Sequence, residues 1–250
     1  MKRATSHPAP LTSHQFALVI FAKAPIPGKV KTRLCPPLTP DEAATLHGSF
    51  VLDMLERTNL AVATLHLPFH RYLACAPSSE LAFFKIMEER QGVRLVDQIG
   101  GDLGGRMHRT FTDFFAKGYK QVVIVGTDVP TLPLPVYGET FAMLDRSDVV
   151  LGPAFDGGYY LIGLKQPAEQ LFVEVPWSTD QVLSVTQQKA KTLGLSVGLT
   201  ATWHDVDTIA DLQRLIAECQ EDYKKPKKDR IFSARTAGAL QLLASRLKTR

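Results

Sequence analysis

The run FALVIFA, Phe16 to Ala22, carries no polar side chain, and the segment KAPIPGKVKTRL, Lys23 to Leu34, follows it directly. A strand without polar interruption is buried on both faces, which points to a largely parallel sheet covered by helices. The segment after it sets Lys23, Lys29, Lys31 and Arg33 within eleven residues at the carboxyl end of that strand, the edge at which open α/β sheets take their ligands. Pro25 and Pro27 stiffen the loop and Gly28 lets backbone approach a ligand, so fixed cations beside free N–H groups suit a polyphosphate. The spacing is neither Walker A nor G-x-G-x-x-G, because no glycine precedes Gly28 at the required distance and Lys29 is followed by Val30. That argues against a P-loop NTPase and a dehydrogenase. The alternative reading is a solvated basic loop.

Outward from this unit the pattern of short apolar runs and longer helical stretches continues. His70 to Cys75 and Val93 to Val96 read as strands, and Gln121 to Val125 (QVVIV) as a second fully buried one. Helices are expected over Asp41 to Arg57, over Ser79 to Arg90, and from GGDLGGRM to near Gly118. Ser147 to Leu164 holds two strand-like pieces, DVVLGP and YYLIGL, joined by AFDGG; it breaks the alternation and predicts an antiparallel insertion. A helix over Ser178 to Leu193, a strand near Leu195 to Leu199 and a helix opened by Asp207 and Thr208 complete the pattern. The expected fold is α/β, a three-layer sandwich with a mixed, mainly parallel sheet. One domain is expected over 16–219, preceded by a flexible segment 1–15 and followed by a basic tail 220–250. In that tail Leu240, Leu243 and Leu247 recur at helical spacing, as in an amphipathic helix that packs on the body or on a partner subunit.

The composition fits this reading. With 250 residues, 45% hydrophobic and 22% charged, and a mean hydropathy of −0.03, disordered and fibrous classes are excluded. The net charge of +4 resolves into +6 from residue 220 onward and −2 over the rest, so the basic excess belongs to the tail. Aromatic residues are not interleaved with the basic ones, which argues against a nucleic-acid module. No run approaches a membrane span and the first residues lack the apolar stretch of a signal peptide, so the chain reads as soluble and cytoplasmic. Cys35, Cys75 and Cys219 form no metal-binding cluster and read as reduced packing thiols.

Four further segments could carry chemistry. In GTDVP, Gly126 to Pro130, Asp128 would project from a strand end as a hard oxygen ligand for Mg²⁺ or Mn²⁺, or cap the turn toward Pro130. In HDVDTIADL, His204 to Leu212, Asp205 and Asp207 precede a helix; Asp207 could supply a second metal-binding carboxylate or serve as the helix cap, and Thr208 with Asp211 has capping-box spacing. In QIGGDLGGRM, Gln98 to Met107, glycines at a helix entrance expose N–H groups and Arg106 adds a cation. In GPAFDGGYY, Gly152 to Tyr160, Asp156 could take a proton from an acceptor hydroxyl beside Tyr159 or Tyr160, or Asp-Gly-Gly could be a hairpin turn only.

Taken in order, FAKAPIPGKVKTRL, DLGGRM, GTDVP, LGPAFDGGYYLIGL, PWST (Pro176 to Thr179) and DVDT resemble the DUF2064 family, described as GT-A-type glycosyltransferases of radical-SAM and selenodomain gene neighbourhoods. The match runs from about Phe16 to Leu215. KVKTRL is similar to the K-x-R-L loop of 2-phospholactate guanylyltransferases, and DVDTIADL to the late motif of molybdenum-cofactor nucleotidyltransferases, while the L-A-G-G-x-S-x-R-M-G opening of the latter is missing. The resemblance implies a nucleotide-diphospho-sugar transferase fold. It implies phosphate contacts from Lys23, Lys31 and Arg33 and a metal on Asp128 and Asp207.

The expected activity is therefore a metal-dependent glycosyl transfer from a nucleotide diphosphate sugar to a small acceptor. Its alternatives are a nucleotidyltransferase that releases pyrophosphate from a nucleoside triphosphate, and a non-catalytic nucleotide-binding protein. The expected catalytic residues are Asp156, Lys31 and Arg33. Lys23, Gly28, Lys29, Lys31, Arg33, Asp102 and Arg106 would hold the nucleotide, Asp128 and Asp207 the Mg²⁺ or Mn²⁺, and Gly157, Gly158, Tyr159 and Trp177 the acceptor. A monomer or homodimer is expected, with no nucleic-acid partner and no membrane span.

Overall fold

A computed structural model describes residues 15–66 and 69–247. The expected flexible segment 1–15, apart from Gln15, lies outside the described residues. Seven strands form one sheet in the order β3-β2-β1-β4-β6-β5-β7. They are β1 (Phe16–Lys23), β2 (Phe69–Ala76), β3 (Arg94–Asp97), β4 (Gln121–Gly126), β5 (Val149–Pro153), β6 (Tyr159–Leu164) and β7 (Val197–Leu199). β1 pairs in parallel with β2 and β4, and β5 with β7, whereas β6 runs antiparallel to both β4 and β5. The expected mixed, mainly parallel sheet with an antiparallel insertion is what the chain forms.

Alternation along β1 shows why its run has no polar residue. Leu18 and Ile20 pack on one face, with Val51, Met54 and Leu55 of α1 (Pro40–Leu65), Phe84 of α2 (Ala82–Gln91) and Tyr137 and Phe141 of α4 (Pro135–Leu144). Ala17 and Val19 pack on the other, with Met107, Phe111 and Phe114 of α3 (Leu103–Ala116) and Ala190 of α5 (Val182–Thr192). Both faces exclude water, so a polar side chain at any of these positions would lack a partner.

α4 was not expected from the sequence. Pro130, Pro133 and Pro135 make its approach look like a loop, yet Pro135 stands at the first turn, where its missing N–H costs nothing. The capping box predicted at Thr208 is present and opens α6 (Ile209–Tyr223). A second box at Thr39 opens α1.

The helix expected at Leu240, Leu243 and Leu247 is α7 (Ala234–Leu247), and it packs on the body; the expected boundary at 219/220 needs correction, since it falls inside α6. Phe232, Ala237, Leu240, Leu243 and Ala244 form a third core with Leu46 and Phe50 of α1 and Leu212, Leu215 and Ile216 of α6. Two of the tail's cations are tied to α1: Arg235 to Asp53 at 3.0 Å, and Arg246 to Glu42. The same core buries Leu34 and Leu38 of the basic loop and Val206 of the late motif. The C-terminal helices thus support both segments that the site depends on.

Candidate active site at the carboxyl edge of the sheet

Because β1, β2, β4 and β5 run in parallel, their carboxyl ends share one edge, and β6 begins there. A cavity of about 600 Å³ opens at this edge. Its wall includes Lys23, Lys29, Lys31 and Arg33 of the basic loop, Gln98, Arg106, Asp128, Asp156, Asp205, Asp207, Gly158, Tyr159 and Trp177. The topology gathers segments separated by up to 184 residues of chain, from Lys23 to Asp207, into one site.

Two of these carboxylates flank one buried residue: Asp205 and Asp207 line the cavity while Val206 between them enters the core. A backbone bridge between Ala154 and Trp203 sets this stretch beside the β5–β6 turn. Asp156 at that turn accepts the Gly158 N–H on Oδ1 at 2.8 Å. Among the described residues, Asp156, Asp205 and Asp207 each offer a ligand atom within 4.8 Å of the others. Burial, then the neighbouring charges of Asp156 and Asp207, push the Asp205 carboxyl up to about 7. Three hard oxygen donors with an excess of negative charge fit Mg²⁺ or Mn²⁺.

Asp128 lies elsewhere in the network. Lys31 Nζ stands 2.6 Å from its Oδ1 and 2.9 Å from Asp207 Oδ1, and donates to the Val206 carbonyl at 2.7 Å. Burial alone would lower the Lys31 pKa, but the two carboxylates outweigh it and hold the ammonium above the ordinary lysine range. The same pairing keeps Asp128 below the carboxylate range despite desolvation. The metal pair expected from sequence, Asp128 with Asp207, is therefore bridged by a lysine, and the carboxylates drawn close to Asp207 are Asp156 and Asp205. Lys31, expected on phosphate, is committed to protein oxygens. The cations left exposed on the cavity wall are Lys23, Lys29 and Arg33, the last 3.9 Å from Asp207 Oδ2, and half-buried Arg106 lines the same cavity.

Other expected residues fall into place differently. Asp102 caps α3, accepting the Gly105 N–H at 2.7 Å, and is absent from the cavity wall. Gly28, at φ 73°, turns the loop behind Lys29. Gly157, at φ 88°, packs against the Asp180 backbone and serves the turn rather than the wall. Gly158, Tyr159 and Trp177 do face the cavity. The Trp177 ring lies on Gly104, where a Cβ would come within 2.7 Å of it, so the glycine at the helix entrance admits the indole.

Sequence reasoning missed two groups. His47 of α1 hydrogen-bonds through Nε2 with the Lys23 carbonyl at 3.0 Å and directs Nδ1 toward Asp128 at 3.8 Å. Gln98 spends its amide N–H groups on the carbonyls of Ala22 and Ala74, at 3.2 and 2.8 Å. Its carbonyl oxygen is what remains for a ligand. His47 sits in no recognisable motif, and Gln98 opens the QIGGDLGGRM segment, in which the glycines, Asp102 and Arg106 carry the signal.

Residues 59–179 match the model of a family described as uncharacterized protein conserved in bacteria, DUF2064. A Desulfovibrio desulfuricans G20 protein, assigned provisionally as a nucleotide-diphospho-sugar transferase, is 31% identical, with 94% of this chain and 97% of that one aligned at a TM-score of 0.79. A 2-phospho-L-lactate guanylyltransferase of Methanothermobacter thermautotrophicus is 25% identical over 190 residues, 74% of this chain and 78% of that protein. A cytidylyltransferase from Leptospira borgpetersenii shares the fold at 12% identity and a TM-score of 0.53, covering 94% of this chain and 95% of that one. The fold is thus that of nucleotide-diphospho-sugar transferases, and the relatives are transferases.

Proposed function

Since the chain belongs to the DUF2064 family, we propose that it is a Mg²⁺- or Mn²⁺-dependent glycosyltransferase that moves a sugar from a nucleotide diphosphate sugar to a small acceptor. One observation carries this: a single cavity is lined both by the carboxylates of Asp156, Asp205 and Asp207 and by the cations Lys23, Lys29, Arg33 and Arg106, with Arg33 3.9 Å from Asp207. A diphosphate bound in this cavity meets positive charge from these cations and, once the carboxylates hold a divalent ion, from that ion as well.

Asp205 and Asp207, with Asp156, would hold that ion, which supplies Lewis-acid stabilisation of the leaving diphosphate. Lys23, Lys29 and Arg33 bind the diphosphate oxygens through charge-assisted hydrogen bonds, which strengthen as charge develops on the leaving group. Arg106 lies on the first turn of α3, where the helix end adds positive potential. Trp177 and Tyr159 form the wall against which the sugar ring packs. The Gly158 N–H fixes the Asp156 rotamer through Oδ1, leaving Oδ2 to take the proton of the acceptor hydroxyl.

Nucleotidyl transfer is the second reading, favoured by the guanylyltransferase relative and by the place of Asp156 beside two other carboxylates. An acceptor that is already a phosphate or carboxylate needs no base, and Asp156 would then serve only in the carboxylate set. The experiment is a Mn²⁺-supplemented screen of nucleotide sugars and nucleoside triphosphates, read by thermal shift and by product analysis. Glycosyl transfer requires release of a nucleoside diphosphate from a nucleotide sugar. Pyrophosphate release from a triphosphate, with every nucleotide sugar inert, would replace the first reading by the second.

A further inference from the structure

Lys31 is placed unlike the other cations of its loop. Its side chain is 4% exposed, and its Nζ lies within 2.9 Å of three oxygens: Asp128 Oδ1, Asp207 Oδ1 and the Val206 carbonyl. It donates to the Val206 carbonyl and to Asp207 Oδ1 and forms an ion pair with Asp128 Oδ1, so its near neighbours are protein oxygens. The Phe50 ring, itself fully buried, closes one side, with Nζ 6.0 Å from its centroid. The backbone at Lys31 is in the left-handed region, φ 49° and ψ 36°, which a non-glycine residue adopts only where its surroundings over-determine it. Three oxygens from two carboxylates and a carbonyl, gathered round one positive charge, form the kind of shell that a hard metal ion takes.

We infer that the Lys31 ammonium occupies the position of a second cation, joining Asp128 to Asp207, so that the site takes one divalent ion on Asp156, Asp205 and Asp207 rather than two. This rests on the metal site of the proposed function. A divalent ion held by Asp128 and Asp207 together would need the space that Nζ fills. Asp207 is the shared member: one oxygen meets Lys31, and the carboxylate also belongs to the trio. Lys31 thus fills the second position and neutralises Asp128, and it leaves phosphate binding to its exposed neighbours.

The test is calorimetric titration of the full chain with MnCl₂ alone. The wild-type protein should bind one ion per chain. Lys31→Met should bind two, because the vacated shell then attracts a second. The charge-balanced, near-isosteric pair Lys31→Met with Asp128→Asn should return to one ion, with affinity within about threefold of wild type, since an internal ion pair removed whole leaves little behind. Two ions on the wild-type protein would overturn the inference. So would one ion on Lys31→Met at unchanged affinity, or a loss of about tenfold or more in the double variant, as expected for removal of a true ligand or its support. If Lys31→Met does not fold, the double variant decides. A failure of the carboxylate trio looks different: no ion on the wild-type protein and one on Lys31→Met, which keeps the Lys31 assignment and removes the trio from the proposed function.

Discussion

The backbone N–H of Val206 donates to the carbonyl of Asp128 at 3.0 Å. This one bond ties the strand-end motif GTDVP to the late motif HDVDT, 78 residues further along the chain, and sets Asp207 across Lys31 from Asp128. Because Val206 itself is buried in the core of α1, α6 and α7, the register of the carboxylates is fixed by packing on the side away from the cavity. Changes at the site and changes in the C-terminal helices should therefore be coupled.

The raised Asp205 gives the metal-free protein a pH dependence of definite sign. The folded state holds this proton up to about pH 7, whereas an unfolded aspartate releases it near 3.8. Across that window the folded state binds more protons, so this group's contribution to stability falls as pH rises from about 4 to 7. Mn²⁺ affinity should rise over the upper part of the same window, because the ion requires the carboxylate. Asp205→Asn should flatten the stability profile and raise the melting temperature of the metal-free protein at pH 7.5 while weakening Mn²⁺ binding. A stability profile that Asp205→Asn leaves unchanged would show that the carboxyl is not raised.

The exposed cations should separate from Lys31 in nucleotide binding. Lys29→Ala and Arg33→Ala should each weaken affinity for a nucleotide diphosphate by about tenfold, the value of one charge-assisted contact. The wild-type affinity should fall with added salt, since these contacts are open to solvent. Titration at 50 and 300 mM NaCl checks both. An affinity indifferent to salt would place the diphosphate away from this loop.

Gly157→Ala should disturb the site through the turn. At φ 88° an added Cβ is strained and also runs into the Asp180 backbone. The expected cost is about 1–3 kcal/mol in urea unfolding. Because Asp156 is the adjacent residue, Mn²⁺ affinity should drop with it. A protein with unchanged stability would mean that the turn relaxes without cost.

Leu240 is 1% exposed in the third core, and Leu240→Ala should destabilise by about 2–5 kcal/mol, as for a buried leucine truncated to alanine. Deleting everything after Tyr223 removes Phe232, Ala237, Leu240, Leu243 and Ala244 from a core that also holds Leu34 and Val206. The truncated chain should unfold at lower denaturant and lose nucleotide affinity, because both the basic loop and the late motif lose their support. Equal midpoints for the full and truncated chains would show that α7 is dispensable.

Much of the architecture was legible before the structure. The unbroken apolar runs at Phe16 and Gln121 gave central strands, the turn AFDGG gave the antiparallel step, and Thr208 with Asp211 gave the start of α6. Local rules suffice there, since burial on two faces, turn conformation and helix capping act over a few residues. Asp207 was left open between cap and ligand, and the cap turned out to be Thr208, which leaves the Asp207 carboxylate to the cavity. The tail helix was legible in the spacing of Leu240, Leu243 and Leu247, but the boundary at 219/220 was misplaced, because a change of charge does not end a helix and α6 runs through it. His47 carries no motif, and Gln98 stands at the start of QIGGDLGGRM without a role of its own there; only the carbonyls they meet, on β1 and β2, give them a place.

By itself the sequence determined the layered α/β fold, the edge at which ligands bind and the set of charged residues brought to it, because these follow from short-range periodicity and from the polarity of parallel strands. Which charges pair with which was decided only by the tertiary structure. Lys31 and Lys29 are two residues apart and chemically identical, yet one is enclosed by three oxygens and the other is open to the cavity. That difference arises from Asp128, Val206 and Asp207, which reach Lys31 only after the sheet and the C-terminal helices have closed around it. Coulomb energy depends on separation and burial, and neither can be read from spacing along the chain.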